Sequence, residues 1–231
     1  MRTLAAVAVA LFAFGIYAAD KLPELKVPKI TKDAPKIDGS LDDEAWKEAA
    51  VAEDFKLSDG EKPKGKCKLM VMRDDKNLYV AMECFEKEAD LKGLKADITK
   101  HDEEMIWEDD DVELFIDPVG KRDCPYYQII MNSKGTTWDA CMVGQTDPDL
   151  TWEPKYEAKA KVGKTSWSVE LAMPFTMFNK TEKSAAEWAF NVMHNRSNAS
   201  EMMYWSAVFA DSAHTPEKFG KLTGMPEMKT K

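Results

Sequence analysis

The chain has 231 residues, with 32 Lys and Arg set against 41 Asp and Glu and only 3 His. An acidic balance with no basic cluster excludes nucleic acid and anionic membrane surfaces as natural partners. The length suits one large all-β domain or two small ones, and no repeat or low-complexity linker divides it.

In chain order, Arg2 precedes an apolar run from Leu4 to Ala19 broken only by Gly15. That is the layout of a secretory signal peptide, and it is too short for a comfortable membrane span. The expectation is a cleaved leader over 1–19 and a secreted, periplasmic or cell-surface protein, with an uncleaved anchor helix as the alternative. Without Arg2 the balance is 31 − 41 = −10. Residues 20–35 read as a stiff lead-in, and 36–231 as the domain.

Two short helices are predicted, over Asp42–Ala50 and Ala89–Ile98, the first capped by Asp42 and burying Trp46. The rest reads as strands. Lys66–Met72 and Leu78–Glu86 alternate in polarity around the turn Asp74-Asp75-Lys76-Asn77. Residues whose numbers sum to 151 then face each other: Val71 with Val80, Leu69 with Met82, Cys67 with Cys84. Further strands are expected at Asp111–Asp117, Tyr126–Asn132, Thr136–Met142, Lys155–Val162, Trp167–Met173 and Trp188–His194. A turn at Ser133-Lys134-Gly135 joins the second of these to the third. Pro174, lacking an N–H, should end pairing in its strand. Many short strands with polar turns predict an all-β, antiparallel two-sheet, jelly-roll-like β-sandwich with one or two short helices.

Four cysteines in an exported chain suggest disulfides, with Cys67–Cys84 the first pairing and Cys124–Cys141 the second. Four small buried thiols are the alternative. The spacing matches neither a metal knuckle nor a CxxC redox site.

The run Ile37-Asp38-Gly39-Ser40-Leu41-Asp42-Asp43-Glu44-Ala45-Trp46 resembles the opening of family 9 carbohydrate-binding modules. The likeness continues through 75–81, Asp110-Asp111-Val112-Glu113-Leu114-Phe115-Ile116-Asp117 and Trp167-Ser168-Val169-Glu170-Leu171-Ala172-Met173-Pro174-Phe175. It closes on His214-Thr215-Pro216-Glu217-Lys218-Phe219-Gly220. Much of this is fold chemistry: Asp38-Gly39 makes a turn, and Gly220 permits a close backbone approach.

The resemblance implies a non-catalytic domain that holds a sugar, such as the chain end of a plant-type polysaccharide, between two tryptophans. Acidic and amide side chains would read its hydroxyls. Trp107 with Glu113 resembles the first half of that arrangement. Glu113 points to the face opposite Val112, Leu114 and Ile116. Trp205 is the candidate second tryptophan, although a tryptophan before Ser206 also suits a core position and that reading is slightly preferred, with Trp138 and Trp152 as alternatives; Gln128, Arg196 and Asn198 are hydroxyl partners. Family members carry structural calcium, which makes Asp109, Asp110, Asp147 and Asp149 oxygen-ligand candidates. Solvated surface charge is the simpler reading of these acids. The implied partners are an oligo- or polysaccharide and polysaccharide-degrading enzymes.

No Ser–His–Asp arrangement is legible, and His101, His194 and His214 lie apart without metal-ligand spacing. Two other functions remain open from the residues. One is a haem-binding redox sandwich of the dopamine-monooxygenase-like group, with Met and His194 as axial ligands. The other is a structural surface protein without a sugar ligand.

Overall fold

The hairpin around 74–77 forms as expected because Asp74 organises its own turn. Its carboxylate accepts hydrogen bonds from the backbone N–H groups of Lys76 and Asn77, both at 2.6 Å. The flanking strands pair Cys67 with Cys84, Leu69 with Met82 and Val71 with Val80. That is the register the apolar alternation demands, since a slip of one residue would turn every side chain to the wrong face.

The structure is a computed structural model that describes residues 21–178 and 184–228. The expected leader over 1–19 lies outside the described residues. In chain order the strands are β1 (Glu24–Lys26), β2 (Ala50–Ala52), β3 (Lys66–Arg73), β4 (Asn77–Phe85), β5 (Asp111–Asp117), β6 (Tyr126–Asn132) and β7 (Thr137–Gly144). They continue with β8 (Asp147–Asp149), β9 (Glu157–Val162), β10 (Ser166–Pro174), β11 (Glu187–Arg196), β12 (Glu201–Tyr204) and β13 (Gly220–Thr223). One sheet runs β2-β3-β4-β10-β9, and the other β1-β13-β11-β5-β6-β7-β8 with β12 also paired to β11. No helix among the described residues is long and apolar enough to cross a membrane.

The two sheets stack into a sandwich. Leu69, Val71, Val80 and Met82 from one meet Val112, Leu114, Ile116, Ile129 and Val192 from the other. Each is buried, and each such side chain contributes about 1.5–3 kcal/mol. The second sheet is also apolar on its outer face, where Phe115, Tyr126, Ile130, Trp138 and Met193 form a separate cluster with Val208 and Phe219. That second apolar face positions the candidate site.

The opening motif is held by a residue far along the chain. Glu170 accepts from the backbone N–H of Asp38 at 3.0 Å, from that of Gly39 at 2.7 Å and from Trp46 Nε1 at 2.7 Å. Gly39 has a φ of +85°, and a Cβ there would stand 2.8 Å from Lys161 Cβ. Trp46 is buried as expected, but its helix is a short 3-10 segment, Glu44–Glu48, without a side-chain cap. Asp42 therefore does not serve as the cap. The tertiary hydrogen bond that its indole N–H donates to Glu170 fixes Trp46 instead.

Three further expectations are corrected. The lead-in is part of the fold: β1 pairs in parallel with β13, and Leu25 and Val27 are buried. The second helix shrinks to α1 (Glu88–Lys92), which ends at Gly93. All four cysteines are free thiols. Cys124 packs against the outer-face cluster, whereas Cys141 packs in the sandwich core, so the sheet separates them. Cys67 and Cys84 do face each other as unbonded thiols. Burial acts to raise the Cys67 thiol, yet a hydrogen bond with Cys84 and the nearby His194 bring it down to about 6.

Candidate binding site

On the outer face of the larger sheet, β5 and β6 alternate so that Glu113 and Gln128 point away from the sandwich core. They sit diagonally, because Glu113 lies opposite Ile130 and Gln128 opposite Phe115. Gln128 Nε2 donates to Glu113 Oε2 at 2.7 Å. Among the described residues, Gln128 Oε1 has no hydrogen-bond partner although it is buried. Glu113 is 4% exposed, and burial pushes its carboxyl up to about 7 despite the hydrogen bond from Gln128.

These two side chains form the floor of a cleft of about 410 Å³, together with Ile130, Trp138, Met142 and Met193. Its walls come from three segments: Trp107 on one side, the β7–β8 turn with Gln145 and Thr146, and the stretch carrying Met202, Tyr204 and Asp211 to His214. The cleft opens into a broader depression of about 900 Å³ that shares Trp107, Met202, Tyr204 and Asp211. The composition is that of a small-molecule site, with apolar walls and a few convergent polar groups.

Trp107 is 41% exposed at the rim. Its ring stands edge-on to Trp138, with centroids 6.2 Å apart and planes at 86°. The neighbouring Ile106 anchors the loop by burying itself in the outer-face cluster. Asn195 Nδ2 donates to the Trp107 carbonyl at 2.8 Å. The acid run that follows is buried scaffolding and not solvated charge. Asp109 accepts from the backbone N–H groups of Asp97 and Ile98 and from Asn132 Nδ2. Asp110 accepts from the N–H of Lys95 at 2.6 Å. Asp111 takes Asn195 Nδ2 on one oxygen, while burial and then the Glu113 charge hold it well above the usual carboxylate range.

The calcium candidates do not fit a cation site. The oxygens of Asp109 and Asp110 are engaged by backbone donors, and Asp147 and Asp149 lie on β8, where Asp149 is tied to Thr151. Among the described residues, the groups of three metal-ligating side chains include none of the four.

The structure brings Trp107, Glu113 and Gln128 together, and it adds Trp138, which was one of the alternatives. Of the remaining candidates, Arg196 lines the broader depression beside the cleft, and the other three lie elsewhere. Trp205 is 5% exposed in the sandwich core, against Phe190 and over Gly220, whose Cβ would be 2.7 Å from the indole. Its predecessor Tyr204 reaches the cleft in its place, because successive strand residues face opposite ways. Trp152 packs on Tyr127 with Nε1 donating to the Met177 carbonyl. Arg196 is locked by Glu86 through two bonds of 2.6 Å and by Glu201 through a third. Asn198 is exposed, lines neither cleft, and donates to the Gly93 carbonyl.

His214 entered the sequence reading as the start of the closing motif and as one of three scattered histidines, not as a site residue, yet it lines the cleft with Nδ1 2.7 Å from Tyr126 Oη. Burial lowers its pKa. The surroundings of His194 do not fit a haem. Its ring is buried between the sheets against Cys67 Sγ and edge-on to Trp167, and neither cleft reaches it.

With this geometry in place, comparison with known proteins decides the family. The family model described as "Carbohydrate family 9 binding domain-like" matches residues 37–224. The chain belongs to that family. A family 9 carbohydrate-binding module from Caldicellulosiruptor kristjanssonii, solved in complex with cellotriose, is 19% identical. It superposes with a TM-score of 0.60 over 88% of this chain and 95% of that one. The same organism's module in complex with glucose gives 18% identity and 0.59, over 87% and 95%. A putative carbohydrate-binding protein from Bacteroides uniformis gives 15% identity and 0.65, over 87% and 99%. At these identities the likeness is one of fold. No curated protein matches the sequence significantly.

Proposed function

We propose that this family 9 domain binds a saccharide, without catalysis, in the cleft floored by Glu113 and Gln128, and that it serves an exported protein. The observation that carries the reading is the pairing of an exposed tryptophan face with an unsatisfied buried amide oxygen in one apolar-walled cleft. Trp107 offers a flat apolar surface for the C–H face of a pyranose. Gln128 Oε1 and Glu113 offer acceptors for its hydroxyl donors. The partnership of Glu113 with an amide, and not with a second carboxylate, supports binding over glycosidic hydrolysis, which uses two carboxyl groups in concert. Export rests on the apolar run behind Arg2.

The saccharides bound by the solved family 9 modules, glucose and cellotriose, set the first ligands to try. Calorimetry with glucose, cellobiose and xylobiose, followed by a glycan array, tests the reading. Saturable binding that weakens at least tenfold in Trp107→Ala is expected, with a melting temperature lowered by only a few degrees because the ring is half exposed. Equal affinity in that variant removes Trp107 from the site. Absence of binding across the array overturns the function.

A further inference from the structure

The sandwich core contains a cluster that the cleft does not use. The β3–β4 register sets Cys67 opposite Cys84, and β11 of the facing sheet brings His194 against them. Cys67 Sγ lies 3.2 Å from His194 Nδ1, and one donor atom from each of the three residues falls within 4.8 Å of the others. All three residues are buried, and Trp167 covers the group from β10, where it pairs with Cys84. Among the described residues, His194 Nε2 has no hydrogen-bond partner. A buried ring nitrogen left unpaired carries a desolvation cost that an apolar side chain at this position would avoid. Two thiols and an imidazole converging between two sheets are therefore expensive as mere filling.

We propose that Cys67, Cys84 and His194 bind one monovalent copper ion. The ligand type selects a soft metal, for which thiolate and imidazole are the preferred donors, over calcium or magnesium. The ligand number favours copper over zinc, because zinc in structural sites is almost always held by four ligands and this cluster offers three. Both thiols release their protons to solvent on binding, because the thiolate and not the thiol is the metal ligand. Donors around a trigonal ion at bonds of about 2.0–2.3 Å stand roughly 3.5–4 Å apart, so the present spacing needs adjustments of under about an ångström. Met203, directly opposite His194 in the β11–β12 register and in the same core cluster, adds a soft thioether to that wall. Cys67 and Cys84 each stand one residue from the end of their strand, which puts the cluster near one end of the sandwich.

The test uses the full chain, purified under reducing anaerobic conditions and titrated with Cu(I) against a chromophoric Cu(I) chelator. One copper per chain is expected, with a thiolate-to-copper charge-transfer band and sulfur and nitrogen ligation in the copper X-ray absorption of the wild type. Cys67→Ala, Cys84→Ala and His194→Gln should each weaken retention at least tenfold, with near-ultraviolet circular dichroism reporting that each variant is folded. Should a variant fail to fold, the wild-type X-ray absorption carries the test alone. The proposal is overturned if the chelator strips all copper from the wild type, or if Cys84→Ala retains it equally. It is also overturned if zinc is held in preference, or if the intact mass is lighter by two hydrogens through a Cys67–Cys84 disulfide.

Discussion

Replacing Glu113 with Gln isolates the cost of burying an ionisable group at the cleft floor. The carboxyl is pushed from 4.5 up to about 7, chiefly by burial, with the bond from Gln128 opposing the shift. Between those two values the folded chain holds a proton that the unfolded chain has released. Stability is therefore full below about 4.5 and is lost as pH rises through about 7. At about 1.4 kcal/mol per pH unit, that interval corresponds to about 3 kcal/mol. Glutamine reproduces the neutral form, still accepts from Gln128 Nε2, and cannot ionise. Urea unfolding of both proteins at pH 5 and pH 8 should show near-equal stability at the lower pH. At the higher pH the variant should be more stable by up to about 3 kcal/mol. Asp139, raised to about 6 chiefly by burial, titrates in both proteins and cancels in the difference. Asp111 does not fully cancel, because the Glu113 charge helps to raise it, and its easier ionisation in the variant adds to the same trend. Parallel pH profiles for the two proteins would refute the reasoning, since they would mean that Glu113 ionises in the folded chain as it does in water.

Two substitutions test the scaffold. Trp205→Ala removes a ring packed on Phe190 and Gly220 in the core, and should destabilise by about 3–5 kcal/mol in thermal or urea unfolding, against little change for Trp107→Ala. Glu170→Ala leaves the N–H groups of Asp38, Gly39 and Trp46 without their acceptor and should cost about 3 kcal/mol or more by urea unfolding. An unchanged midpoint in that variant would show that the opening motif is held by packing alone.

The sandwich was legible where local alternation and turn chemistry agree. β5 and β6 have the expected bounds, and the β3–β4 register follows from the turn's midpoint. What escaped depends on contacts distant in the chain. The acid run at 109–111 looks solvated in isolation, because the amides of Lys95, Asp97 and Ile98 that Asp109 and Asp110 accept from are brought in by a separate loop. The lead-in looks detached because its partner, β13, lies almost at the other end of the chain. Of the tryptophans offered for the second wall, Trp205 turns into the core, as its preferred reading had it, and Trp138 lines the cleft, while Tyr204 was not foreseen. Trp205 carries the stronger sequence signal, but Tyr204 has the orientation. The Cys67–Cys84–His194 cluster has no spacing signature at all, since the hairpin and β11 belong to different sheets.

A sheet with one apolar face folds and stops there, but this sheet is apolar on both. β5 presents Val112, Leu114 and Ile116 to the sandwich core while Glu113 and Phe115 face outward. Val208 and Phe219 bury part of that outer surface against Phe115 and Tyr126 and leave the part around Glu113 and Gln128 beneath a cleft. Folding alone does not account for that choice. A carboxylate buried with one amide partner, beside an amide oxygen with none, is less stable than an apolar pair of similar shape. On the proposed function, a donor that enters the cleft and satisfies Gln128 Oε1 offsets that deficit. A hydroxylated ring that covers Trp107 at the same time meets both demands, and a purely apolar ligand meets only one.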